Sequence, residues 1–157
     1  MNYRDYQNAR DAAWRILLDC NVDRLPVRTS IICKSLGRRV VEGGIPQDGY
    51  SVITNGVPHI VVKQTIHLAR KRFTAAHEIG HILLGHVGQY ELVNREPSPE
   101  DNPIEQAANV FAARLLAPAC VLWGLDIHTP EQIMELCQIS KQAAEFRANR
   151  MALLYKR

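Results

Sequence analysis

The 157-residue sequence lacks any uninterrupted apolar run of the ~18 residues that a membrane helix needs. Its first residues, MNYRDYQNARDAAWR, are too polar for a secretory signal. The four cysteines show no CxxC spacing, and there is no internal repeat or low-complexity tract. These absences predict a soluble protein that keeps its thiols reduced in a cytoplasm.

A strong charge of either sign is also missing. The formal net charge is only +3, and charged residues make up 22% of the chain. Nucleic-acid binding requires clustered positive charge, so this total does not indicate it. With 46% hydrophobic residues, the chain can form a real core without disulfides or an assembly. We therefore expect one domain over residues 1–157, with a helical segment at its C-terminal end, residues 129–157.

Local patterns in the first half predict two helices and a hairpin. Apolar residues recur at helical spacing through residues 1–20, and a second short helix is expected before Gly37. After a brief extended piece, the runs GYSVI and PHIVV flank an Asn-Gly pair, which is a strong hairpin signal. Pro58 cannot donate a ladder hydrogen bond, so its run is expected to be an edge strand or to begin at this residue.

Three helical stretches are expected after the hairpin. The central helix is predicted at about residues 74–84, and the proline-rich residues 88–103 are typical of a surface connection. A helix with Asn102 as its N-cap runs to Pro118, and Thr129-Pro130 opens the last stretch. The predicted fold class is α+β, with a small, mostly antiparallel sheet packed on a helical core.

The stretch RFTAAHEIGHILLGH, residues 72–86, places histidines in a largely apolar helix. At about 100° per residue, His77 and His81 share one face of that helix. Burying unpaired imidazoles is costly, whereas a zinc ion bound by both removes that cost. Glu78 lies too far round to join the same ligand set, but it can hold a water, as in the HExxH arrangement of zinc hydrolases. The pattern therefore predicts a zinc site, and two core histidines satisfied by carbonyls are the alternative.

Catalytic zinc usually takes three protein ligands and leaves a fourth position for water. Glu105 lies near the start of the next helix, beside Ala108 and Ala112, whose small side chains would let two helices approach. Its spacing from Asn102 also fits a capping box, in which the carboxylate would bind the Asn102 amide instead. Spacing alone leaves these two roles of Glu105 open.

The motifs RFTAAHEIGHILLGH and EQAANVFAARLLAP resemble those of the ImmA/IrrE family of metallopeptidases. The resemblance covers most of the chain, more loosely outside the motifs, and implies a zincin-like minimal protease domain. It implies that His77, His81 and Glu105 bind zinc and that Glu78 is the catalytic base. The sequence departs from the family in LLAP, where LLMP is usual. We expect a single domain, without the extra helix-turn-helix or sensor-like domain of some longer members.

The implied reaction is hydrolysis of a peptide bond, with zinc polarising the carbonyl and Glu78 moving the proton from water to the leaving amine. The resemblance also implies a substrate class, namely helix-turn-helix repressors of phages, mobile elements or stress regulons. Tyr90, His86 and His128 are unranked candidates for the oxyanion donor. Asn109 either orients a ligand or packs between helices.

The remaining cations and histidines have simpler interpretations. His59 and His67 are expected to be ordinary strand and loop residues. Residues 70–72, the run RKR, are expected in a solvated loop, with binding of an acidic substrate segment as the alternative.

Two further functions stay open. The stretch EQIMELCQISKQAAEFRANRM resembles a helix-turn-helix, which suits DNA binding through Lys141, Arg147, Arg150 and the terminal Lys156-Arg157. The favoured interpretation is a packed helix pair with Ala144, Met151 and Leu154 turned inward. The chain could also act as an antirepressor that binds its partner without cutting it.

Overall fold

The computed structural model describes residues 1–87 and 102–154. Within this part of the chain there are seven helices and three strands, which confirms the α+β class. In chain order they are α1 (Tyr3–Asp19), α2 (Thr29–Ser35), β1 (Arg39–Gly43), β2 (Gly49–Thr54), β3 (Val57–Lys63), α3 (Leu68–Leu83), α4 (Pro103–Leu116), α5 (Ala119–Gly124), α6 (Pro130–Cys137) and α7 (Lys141–Leu154).

Short local signals set the starts of α4 and α6. The Asn102 side chain accepts a hydrogen bond from the Ile104 amide at 3.0 Å, and Pro103 is the first residue of α4. Thr129 and Gln132 form a capping box at the start of α6. Both predicted N-termini are confirmed. The expected surface connection lies almost entirely outside the described residues.

The sheet has the strand order β1-β3-β2. Asn55 and Gly56 adopt φ of 52° and 73°, so the predicted two-residue hairpin between β2 and β3 is confirmed. The chain leaves β1, forms β2 at the opposite edge and returns into the centre, which makes β3 parallel to β1. The expectation of a mostly antiparallel sheet is therefore wrong, because one of the two pairs is parallel. Pro58 lies at the start of the central strand, not on an edge strand.

Helix α3 lies between the sheet and α4. Alternate residues of β3, Pro58, Ile60 and Val62, are buried, as expected when one face of a sheet covers a helix. On the other side, α4 packs against both α3 and α1. This arrangement places the HExxH segment at the centre of the molecule.

The stretch Pro103–Gly124 is long and apolar enough to cross a membrane by length and composition, with a hydropathy of 1.4. In the fold, 56% of its 18-residue apolar window is buried inside the domain. Phe111, Leu115 and Leu116 are fully buried there. A core position therefore accounts for its apolar character.

Helix α3 begins at Leu68, well before the predicted start near residue 74. Residues 70–72 lie in its first turns, so their assignment to a solvated loop is wrong. Each of these cations has a partner from elsewhere in the chain, which stabilises the early start. The partners are Asp48 for Arg70 (2.6 Å), Glu42 for Lys71 (2.7 Å) and the carbonyl of Val27 for Arg72 (2.8 Å).

Helices α6 and α7 form a packed pair joined through Gln138, which has a left-handed conformation. Ala144 and Met151 are buried, as the packed-pair interpretation predicts. Leu154 is 53% exposed, so its predicted inward position is wrong. It lies at the end of α7, at the edge of a cleft that Trp14 and Pro118 also line.

Two of the three cations of α7 contact other parts of the chain, whereas Lys141 is exposed and lies 3.9 Å from Glu145 of the same helix. Arg147 is only 3% exposed, and its Nε donates to the Ala117 carbonyl at 2.6 Å. The Arg150 guanidinium lies over the Tyr6 ring, 5.4 Å from its centroid. These two side chains therefore join α7 to the ends of α4 and α1. Lys156 and Arg157 lie outside the described residues.

Candidate metal centre

Helices α3 and α4 approach each other closely at Gly80. A Cβ at this position would lie 2.9 Å from Cδ1 of Phe111, closer than side chains tolerate. Both helices also carry buried alanines, at positions 76, 107, 108 and 112. The backbones can therefore come close enough for a glutamate side chain on α4 to reach histidines on α3.

His77, His81 and Glu105 converge at this contact. The Nε2 atom of His77 lies 3.0 Å from Oε2 of Glu105, and Nε2 of His81 lies 3.2 Å from Oε1. The two Nε2 atoms are 2.9 Å apart. The three side chains are 12%, 5% and 14% exposed, respectively. One ligand atom from each lies within 4.8 Å of the others, so the group could hold a metal ion.

The opposite edge of each imidazole is occupied as well. Nδ1 of His77 lies 2.9 Å from Oδ1 of Asn109 on α4. Nδ1 of His81 lies 3.0 Å from Nδ1 of His86, just past the end of α3. An amide oxygen can only accept, so His77 carries its proton on Nδ1 in this network. Its Nε2 then presents a bare lone pair to the centre.

This proton arrangement tests whether the residues fit a metal. If His81 likewise donates from Nδ1, two imidazole lone pairs and a carboxylate face one another at about hydrogen-bond distance with no proton between them. Such a set of acceptors is repulsive unless a cation lies among them. Neutral imidazoles and a carboxylate are ligands that divalent transition metals accept. The donor set therefore fits a divalent metal ion.

Glu105 faces the imidazoles. Burial by itself would raise the pKa of its carboxyl. In the chain without an ion, a proton on an Nε2 atom that faces the carboxylate outweighs burial, so the His77 and His81 rings hold that pKa well below its ordinary value. At the start of α4, the Asn102 side chain caps the Ile104 amide. The capping-box role that spacing left open for Glu105 is not the one its carboxylate has here.

Glu78, which follows His77 in the chain, is fully buried and faces strand β2. Ser51 on β2 donates a hydrogen bond from Oγ to Oε2 of Glu78 at 2.6 Å. Two residues earlier, a Cβ at Gly49 would collide with Thr74 of α3, so glycine lets the strand approach the helix. Sequence reasoning missed Ser51. Its signal is the alternation along β2, which puts Gly49 and Ser51 on the face toward α3.

The two described candidates for the oxyanion donor, His86 and His128, do not belong to the group of possible metal ligands. His86 is half-buried, and burial together with the neighbouring His81 lowers its pKa to about 4. His128 is exposed and pairs with Asp126 at 2.7 Å, against the Trp123 ring. Tyr90 lies outside the described residues.

Two histidines have the structural positions that were expected of them. His59 is part of β3, and His67 immediately precedes α3. Neither belongs to the group of possible metal ligands among the described residues.

Comparison with known proteins agrees with this geometry. No curated protein matches the chain. The family model of the IrrE N-terminal-like domain, Peptidase M78, matches residues 33–149. This range is well over half of the chain and contains both motifs, which confirms the resemblance noted from the sequence. The chain therefore belongs to the IrrE N-terminal-like family of peptidase domains.

Proposed function

We propose that this protein is a zinc-dependent endopeptidase that hydrolyses a peptide bond in a protein substrate. The observation that carries the proposal is the convergence of His77, His81 and Glu105, with their ligand atoms within 4.8 Å of one another. Two histidines and a glutamate are a ligand set typical of catalytic zinc in peptidases. The family match to a peptidase domain supports the same reaction class.

The roles of the residues follow from their positions. His77, His81 and Glu105 would hold the ion, and zinc when bound supplies Lewis-acid chemistry that polarises a carbonyl and acidifies water. Glu78 acts as general base: a carboxylate oxygen takes the proton of the attacking water and delivers it to the leaving amine. Ser51 donates a hydrogen bond to the Oε2 atom of Glu78 and so orients the carboxylate for this transfer.

The resemblance of the two motifs supports a helix-turn-helix repressor of a phage, mobile element or stress regulon as the substrate. Such regulators are cytoplasmic, where the four cysteines of this chain, all unpaired in the structure, would stay reduced.

DNA binding through α7 is the weaker candidate. Of its cations, Arg147 is buried against the Ala117 carbonyl and Arg150 lies over Tyr6. Contacts with phosphates would have to compete with these contacts within the chain.

The test combines metal analysis with cleavage of a repressor encoded beside this protein, using wild type, Glu78→Gln and His81→Ala. Wild type is expected to contain about one zinc and to cut. Glu78→Gln should keep its zinc and its fold but lose cleavage, because the amide cannot take a proton. His81→Ala should lose both zinc and cleavage. Removal of zinc from the wild type with a chelator should abolish cleavage, and added zinc should restore it.

Two outcomes would contradict the proposal. Undiminished turnover by Glu78→Gln would remove the general-base mechanism. A repressor that binds zinc-loaded wild type yet stays intact would instead indicate an antirepressor that acts by binding alone.

A further inference from the structure

We propose that His86 is a positioning residue, which holds the His81 imidazole so that its Nε2 atom faces the metal site. This inference rests on the proposed function, because it assigns a partner to one of the proposed ligands. The two rings lie edge to face, with centroids 5.2 Å apart and planes at 64°, and their Nδ1 atoms are 3.0 Å apart.

The end of α3 delivers His86 to this position. Gly85 has a φ of 74°, in the left-handed region, and its amide donates to the Ile82 carbonyl at 3.2 Å. The His86 amide then donates to the His81 carbonyl at 2.8 Å. This pair of hydrogen bonds is a Schellman motif, which turns the chain back over the last helical turn. His86 is therefore attached to His81 twice, through its backbone and through its ring.

The direction of the ring contact follows from counting protons. Only one proton can lie between the two Nδ1 atoms. If His86 donated it, neutral His81 would carry its own proton on Nε2 and could not bind a metal there. If His81 donates, its Nε2 lone pair is free for the ion and His86 is the acceptor. Hence His86 acts on His81 as the Asn109 oxygen acts on His77.

The same geometry excludes a direct role in the ligand set. His86 contacts the edge of the His81 ring opposite to Nε2, and Nε2 is the atom that faces Glu105. His86 therefore lies on the side of the His81 ring that faces away from the metal site. It also contacts no atom of Glu105 among the hydrogen bonds and ion pairs of the described residues.

The test is the zinc affinity of purified full-length protein, measured by competition with a chelator, for two variants at this position. His86→Leu removes the acceptor and should raise the zinc dissociation constant about 10- to 100-fold. His86→Asn places an amide oxygen where Nδ1 lies, so it should remain within about threefold of wild type, since the acceptor is kept. His67→Leu changes an exposed histidine at the other end of the same helix and should leave the affinity unchanged.

Substituting cobalt for zinc gives a second measurement, because the absorption of bound cobalt reports its ligand geometry. The spectrum should change in His86→Leu and be retained in His86→Asn. Wild-type zinc affinity in His86→Leu would overturn the proposal. So would equal weakening in both variants when both unfold at the wild-type temperature, since that would implicate the ring's volume and not its acceptor.

The outcomes for the two proposals are separable. Wild-type protein that binds zinc but cuts nothing would contradict the peptidase proposal while leaving the affinity series fully informative about His86. Wild-type protein that binds no zinc would overturn both.

Discussion

Replacing Gly80 with alanine tests whether the contact between α3 and α4 sets the metal site. The new methyl would lie 2.9, 3.2 and 3.3 Å from Cδ1, Cγ and Cβ of Phe111. Carbon atoms in contact prefer about 3.5–4.0 Å, so the helices must part by about 0.5 Å. Phe111 is fully buried, and its Cβ cannot move without its backbone. Overpacking costs about 1–3 kcal/mol, and the better helix propensity of alanine returns about 1 kcal/mol.

The net loss of stability in Gly80→Ala should therefore be about 0–2 kcal/mol, or about 2–4 °C in Tm for each kcal/mol lost. Metal sites tolerate ligand displacements of only about 0.2 Å, so zinc affinity should fall about tenfold or more as Glu105 moves from the histidines. Chelator competition and thermal unfolding measure the two effects. Gly124→Ala is the matched control, because nothing lies within 4 Å of its new methyl. Equal zinc affinity and Tm in the two variants would refute the reasoning.

Two further substitutions probe other parts of the molecule. Ser51→Ala removes the 2.6 Å hydrogen bond to Glu78 and should lower kcat about 10- to 100-fold, the value of a charged hydrogen bond, with zinc affinity unchanged. Ser51→Thr keeps the hydroxyl and should retain activity, so equal losses in both variants would argue against the hydrogen bond. Arg147→Met removes the donor to the Ala117 carbonyl and should cost about 1–3 kcal/mol in urea unfolding without altering zinc affinity. An unchanged unfolding midpoint would contradict that role.

Local chemistry explains which parts of the fold were predictable. Asn102 and Pro103 define the start of α4, and Asn55-Gly56 defines the hairpin, because each acts on backbone groups a few residues away. The histidine pair of α3 likewise follows from helical period alone. These features need no knowledge of what packs against them.

The predictions that were wrong or left open concern interactions between residues that are distant in the sequence. In the early part of α3, Arg70 and Lys71 pair with carboxylates more than twenty positions upstream, which no local pattern reveals. The parallel pairing of β1 with β3 depends on the path of the chain across the sheet. The sequence left Glu105 open as a metal ligand or as part of a capping box, because no local pattern reveals how closely α4 approaches α3. Gly80 and Phe111 decide that distance only once both helices are in place.

The residues that contact the HExxH side chains also differ in whether a local pattern predicts them. The position of His86 depends on a local feature, because the glycine one residue earlier ends the helix and turns His86 back onto His81. A Gly-His pair four and five residues after the second histidine is therefore a signal that sequence reasoning can use.

For Ser51, the alternation along β2 shows only which face of the strand the residue occupies, because its contact with Glu78 depends on the register of β2 against α3. Two strand residues advance about 6.6 Å and four helical residues about 6 Å, so the steps from Gly49 to Ser51 and from Thr74 to Glu78 match. The match requires the strand to lie against Thr74, which Gly49 alone permits. A chain with the same HExxH motif but a larger residue at position 49 would separate Ser51 from Glu78. The motif supplies the reactive groups, and small residues outside it determine whether they meet.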